Sequence, residues 1–138
     1  ERLLDCDLRK VSWLILNEVE RQQMTGCSAV EPKQILEQLR KRYPQAACVL
    51  TLGTAGAYYQ DAHTTAFQDT FRVKSVDSTG AGDTFTGFFL AGMAQGCDAK
   101  QTMRRAAAAA AISVSRRGTS ASVPTNQEVQ QFLNSELV

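Results

Sequence analysis

The chain has 138 residues, 43% hydrophobic and 21% charged, enough for one globular domain with a packed core. Lys and Arg number 15 against 14 Asp and Glu, so a net charge of +1 provides no electrostatic drive toward nucleic acid. Four scattered cysteines with no C-x-x-C pair, and one histidine, His63, argue against zinc and against a disulfide framework, so a cytoplasmic setting is expected. The longest early apolar run, Val11 to Leu16, is too short to span a bilayer, and neither a signal peptide nor a membrane partner is expected.

Ser12 to Leu16 reads as a strand buried on both faces, and Asn17 opens a polar helical stretch to about Met24 that Thr25-Gly26 breaks. Pro32 suits a first helical position; Ile35, Leu36, Leu39 and Tyr43 follow at helical spacing, and Pro44 ends the run. The basic cluster Arg40-Lys41-Arg42 then falls at a helix C-terminus, where positive charge is favourable. Cys48 to Leu52 reads as a second buried strand, closed by Gly53-Thr54-Ala55-Gly56 and returning antiparallel through Ala57-Tyr58-Tyr59. One or two short strands are expected around Phe67, Phe71 and Val73.

A glycine-rich loop follows, then a helix from about Asp83 to Gln95, stopped by Gly96. The next helix, about Asp98 to Ser115, holds six consecutive alanines, Ala106 to Ala111, explained either by helix propensity or by close approach to a neighbour. Ser120 to Pro124 forms an extended exit, and Thr125 to Leu133 a last helix capped by Thr125 or Asn126. Strand, helix, strand, hairpin and two helices make an α/β plan with a mainly parallel sheet, and no linker or repeat divides residues 1–138.

The chemistry concentrates in Val76-Asp77-Ser78-Thr79-Gly80-Ala81-Gly82-Asp83-Thr84-Phe85. Glycines free the backbone to present N–H groups, and a helix beginning there adds its positive dipole end, so the loop suits a phosphate. A carboxylate at such a place invites a second reading, because two anions repel: Asp83 is a base beside a phosphate-stabilising hole, or else a helix cap. Other phosphate loops fail. No glycine is followed by lysine as a Walker loop requires, and Phe85 stands where a dinucleotide fingerprint needs its third glycine. There is no G-x-S-x-G elbow, and one histidine makes a hydrolase triad a poor explanation.

The pattern D-[ST]-x-G-A-G-D-x-F, with Asn17-x-x-Glu20 upstream and Thr51-Leu52-Gly53-x-x-Gly56 between, resembles the carboxy-terminal part of ribokinase-like (PfkB) carbohydrate kinases. The likeness runs from about Asp7 to the end and includes Arg116-Arg117-Gly118 and Ser122-Val123-Pro124. It implies a three-layer α/β/α domain and ATP-dependent transfer of a γ-phosphate to a sugar hydroxyl. Asp83 then matches the general base, and the N–H groups of Gly80, Ala81 and Gly82 match the anion hole. Asn17 and Glu20 match the element that organises Mg2+ through water and touches the nucleotide phosphates; by itself, Asn17 is only a helix cap. Thr51, Leu52, Gly53, Thr54, Ala55 and Gly56 match the segment along the nucleotide. Ala107 matches the adenine side, where this chain departs from relatives that carry a polar residue.

Asp77 and Thr79, with Ser113, Arg116, Gly118 and Ser122, match a monovalent-cation (K+) site built mostly of backbone carbonyls, the alternative being that Asp77 only braces the loop. The resemblance also implies an amino-terminal half with the sugar pocket and lid, a homodimeric parent, and an isolated 138-residue chain without activity. A nucleoside or vitamin-precursor alcohol as acceptor, and a kinase-like binding protein without catalysis, are the alternatives.

Overall fold

Alternating burial builds the first layer: Leu14 and Leu16 point inward from β1 (Trp13–Asn17), while Cys48, Val49 and Leu50 of β2 (Ala47–Thr51) are all buried. These elements belong to a computed structural model that describes residues 8–25, 31–117 and 122–136 and divides into two units, Glu1–Phe67 and Gln68–Val138. In the first unit four strands lie in the order β1-β2-β3-β4, with β3 at Ala57–Gln60 and β4 at Thr65–Gln68. β1 and β2 are parallel, with Asn17 opposite Thr51, and β2 and β3 are antiparallel, with Thr51 opposite Ala57. The hairpin is as expected. Burial on both faces holds for β2 but not for β1, whose Leu14 and Leu16 are buried while Ile15 is half-buried and Trp13 exposed.

Helix α1 (Glu18–Thr25) follows β1 directly, and α2 (Pro32–Arg42) lays Ile35, Leu36 and Leu39 on Leu14, Leu16, Cys48 and Leu50. The break expected at Gly26 lies outside the described residues. Arg40 explains the end of α2: its Nη1 donates to the carbonyls of Pro44 and Ala46, both at 2.7 Å. Burial pushes the Cys48 thiol up to about 11, which keeps it protonated and inert. His63 sits in the turn between β3 and β4. Asp61 organises that turn, accepting from the N–H groups of His63 (2.8 Å) and Thr64 (2.7 Å) and from the Tyr59 hydroxyl (2.6 Å). Burial works to raise the Asp61 carboxyl, but these three bonds hold it below its usual range.

The second unit is helical: α3 (Ala81–Ala94), α4 (Ala99–Val114) and α5 (Asn126–Ser135). Ala108, Ala109 and Ile112 of α4 form a core with Val129 and Leu133 of α5. The alanine run therefore works through close packing, and the α3–α4 contact is tighter still: a Cβ on Gly92 would stand 2.7 Å from Thr102 Cγ2. The strands expected around Phe71 and Val73 do not form. Only Thr65–Gln68 is a strand, because the Phe71 ring meets Phe132 edge-on at 5.3 Å and carries the Arg104 guanidinium over its face at 5.3 Å. Ser120 lies outside the described residues.

Two glycines of α3 separate propensity from packing. A Cβ at Gly87 meets nothing within 4 Å, so Gly87→Ala is expected to stabilise by about 0.5–1 kcal/mol. At Gly92 the new methyl meets a buried, χ1-stiff threonine, and overpacking of roughly 1–3 kcal/mol outweighs that gain. Urea midpoints moving in opposite directions for the two variants check the assignment.

Candidate functional site

In the first unit, parallel pairing places Asn17 beside Thr51 at the carboxyl ends of adjacent strands, where open α/β sheets bind ligands. Two separate elements of the sequence pattern thus meet. Thr51 Oγ1 donates to the Leu16 carbonyl at 3.4 Å. After β2 the chain turns through a short 3-10 segment, Gly53–Ala55, between two positive-φ glycines, Gly53 (56°) and Gly56 (93°). Leu52 N–H donates to the Gly56 carbonyl at 2.9 Å and closes the turn with Thr54 and Ala55 exposed.

Asn17 and Glu20 grip one another. The Asn17 N–H donates to Glu20 Oε2 and the Glu20 N–H donates to Asn17 Oδ1, both at 2.9 Å. This reciprocal box satisfies orphan donors at the start of α1, so the capping reading of Asn17 is realised. It engages one Glu20 oxygen with a local donor and holds the exposed carboxylate at the strand ends.

In the second unit, Asp77 Oδ1 accepts the Thr79 N–H at 2.9 Å, which braces the loop. Gly80 then takes φ 82°, a left-handed conformation, and is the N-cap of α3. The helix begins at Ala81, two residues before the sequence pattern placed it, so Asp83 occupies its third position rather than its cap. No side chain caps α3. The Ala81 N–H donates to the Ser78 carbonyl at 3.3 Å, whereas the N–H groups of Gly82 and Asp83 have no backbone acceptor among the described residues. Gly82 fits the anion-hole pattern more fully than Ala81 does.

Asp83 is exposed and lines a pocket of about 420 Å³ with Thr79, Gly80 and Thr84. Gly87, Phe88 and Ala91 continue the wall along one face of α3, opposite Val123 and Asn126. The i, i+3, i+4 spacing of residues 80, 83, 84, 87, 88 and 91 carried that signal in the sequence. Val123 and Asn126 had none, since they reach the pocket only through the path of the chain.

The segments of the cation pattern also converge. The Val114 carbonyl accepts from Val76 N–H (2.7 Å) and Asp77 N–H (3.0 Å), and the buried Ser113 and Ser122 hydroxyls bond at 3.2 Å. Arg116 pairs with Glu128. Gly118 lies outside the described residues. Ala107, in α4, is half-buried and offers only an apolar surface.

The α/β arrangement is that of a sugar-kinase fold. The structure matches Arabidopsis thaliana ribokinase, solved in complex with ribose and ATP, with a TM-score of 0.83 at 30% identity, over 91% of this chain and 42% of that one. The chain belongs to the pfkB family of carbohydrate kinases, whose pattern (pfkB family carbohydrate kinase) it matches over residues 3–126. It is 42% identical to a ribokinase of Schizosaccharomyces pombe over 64% of this chain, and 30% identical to one of Haemophilus influenzae over 85% of it. It spans only 28% and 39% of the lengths of these two relatives.

The Asn17–Glu20 box makes a separable prediction. Asn17→Ala removes a cap and is expected to cost about 1 kcal/mol, whereas Glu20→Gln keeps an amide acceptor and stays within about 0.5 kcal/mol of the parent. Urea denaturation of both variants measures the difference.

Proposed function

We propose that the chain carries the phosphoryl-transfer centre of an ATP-dependent sugar kinase with Asp83 as its general base. The observation that carries this reading is the position of Asp83: on the first turn of α3, unused as a cap, and lining a pocket with Gly80. In the reaction, the Asp83 carboxylate takes the proton of the acceptor hydroxyl as that oxygen bonds to the γ-phosphorus and the bond to the β-phosphate oxygen breaks. The Gly82 N–H and the dipole of α3 stabilise charge on the transferring group, with Gly80 and Ala81 shaping the turn. The sugar class is supported by the family and by relatives that include ribokinases, deoxyribokinases and fructokinases.

Asn17 and residues 51–56 are proposed to hold the nucleotide phosphates, and Ala107 to give the adenine an apolar surface. The carboxylate donor of Glu20 fits Mg2+ held through water, a hard cation that takes oxygen ligands and retains its hydration; bound there, the ion would neutralise phosphate charge. Asp77 and the carbonyls around Thr79, Ser113, Arg116 and Ser122 are proposed to take K+. The fit rests on their convergence through Val114 and the Ser113–Ser122 pair, with one carboxylate among neutral oxygens.

Two outcomes are expected. In the full-length enzyme, Asp83→Asn lowers kcat about 10²–10⁴-fold while nucleotide affinity, measured by titration calorimetry, is nearly unchanged. Retained kcat reduces Asp83 to a pocket wall. The isolated 138-residue chain shows no turnover in a coupled ATPase assay across a panel of sugars, and robust turnover would overturn that expectation.

A further inference from the structure

We propose that the apolar groove along α3 is the seat of a helix supplied by the remainder of a whole kinase, outside these 138 residues. From Thr84 to Cys97 no residue is charged, and a helix apolar on every side belongs inside a core. Phe85 and Phe89 are buried, yet Gly87, Ala91 and Ala94 are exposed and Leu90 keeps 38% of its surface. The pocket that Asp83 lines follows this helix from Gly80 to Ala91, roughly 16 Å at the helical rise, with Val123 exposed on its other wall. One reacting hydroxyl needs only the Asp83 end. The rest of the groove has no task in phosphoryl transfer, and its use does not depend on the role of Asp83.

Gly87 bears most of the weight. A glycine inside a helix is less stable there than alanine, so the missing methyl calls for a reason. Gly92 has its reason within the chain, since a Cβ there would stand 2.7 Å from Thr102 Cγ2. Gly87 has none of that kind: a Cβ would meet nothing within 4 Å. A bare helical position under open space, one turn from Ala91, leaves a notch that a facing ridge of side chains can enter.

The occupant is a helix because an extended segment would leave water without finding partners for its N–H and C=O groups on a helix face, whereas a helix satisfies its own. Its facing side is apolar, to match Phe88, Leu90 and Val123. The remainder of a kinase has the length to supply it: this chain covers only 42% of the ribokinase structure whose fold it shares. A second copy of this chain is the rival occupant. It fits less well, because an interface between separable chains has a polar rim, and the only charged residue among the described lining of the groove is Asp83 at one end.

Urea denaturation of this chain and of the full-length kinase, side by side, tests the seat. Gly87→Ala is expected to raise the midpoint of the 138-residue chain by about 0.3–0.5 M through helix propensity. In the full-length protein the same methyl meets the docked helix, and the midpoint is expected to fall by roughly 0.3–1 M. Leu90→Lys is expected to leave the chain nearly unchanged and to lower the full-length midpoint, because the charge is then buried. Gly92→Ala, crowded from within by Thr102, lowers both midpoints and serves as the control. A Gly87→Ala midpoint that rises in the full-length protein too, with Leu90→Lys tolerated there, means an open groove and overturns the inference. A full-length dimer that Leu90→Lys dissociates in sedimentation velocity makes a second copy the occupant and overturns it as well.

Discussion

Gly80 must hold φ 82°, and the geometry of the second unit's pocket follows from that torsion. A side chain there costs about 1 kcal/mol or more, because a Cβ crowds the next carbonyl. Around that torsion the turn is secured twice, by Asp77 Oδ1 on the Thr79 N–H and by the Ser78 carbonyl on the Ala81 N–H. The segment before it is tied to the Val114 carbonyl, which accepts from Val76 and Asp77 together. Position 83 thus faces the pocket through constraints local to a few residues, anchored to the end of α4 by the Val114 carbonyl.

That chain of constraints depends on the position of α4, which small residues let pack closely. Gly92 against Thr102, and the alanines against α5, bring backbones closer than larger side chains allow. Close-packed interiors transmit displacement instead of absorbing it. A shift of α4 would move Val114, and with it the loop hanging from that carbonyl.

How much of this was legible in the sequence depended on the range of the interaction. The Asn17–Glu20 box, the hairpin at residues 53–56 and the Thr125 cap are contacts within three to five residues, and the residue types announced them. The start of α3 was misplaced by two residues because a left-handed glycine, not the carboxylate, is its cap. Phe71 and Val73 looked like a strand by composition, but the Phe71 ring is taken by Phe132 and Arg104, far along the chain. The Val123 wall of the pocket was invisible for the same reason, whereas Ser113 and Ser122 were grouped only by the family resemblance. Asn17 opposite Thr51 was half legible: both ends were marked, but only the parallel register brings them side by side.

The grip between Asn17 and Glu20 has a consequence for ion selection. One carboxylate oxygen of Glu20 already receives a backbone N–H at 2.9 Å, so a cation gripping both oxygens competes with that bond at the start of α1. An ion satisfied by a water-mediated or one-oxygen contact leaves the helix untouched. Mg2+ keeps its waters, while Ca2+ commonly takes carboxylates bidentately. On the Mg2+ reading proposed for Glu20, a helix cap worth about 1 kcal/mol would favour an ion that keeps its waters over one that takes the carboxylate bidentately.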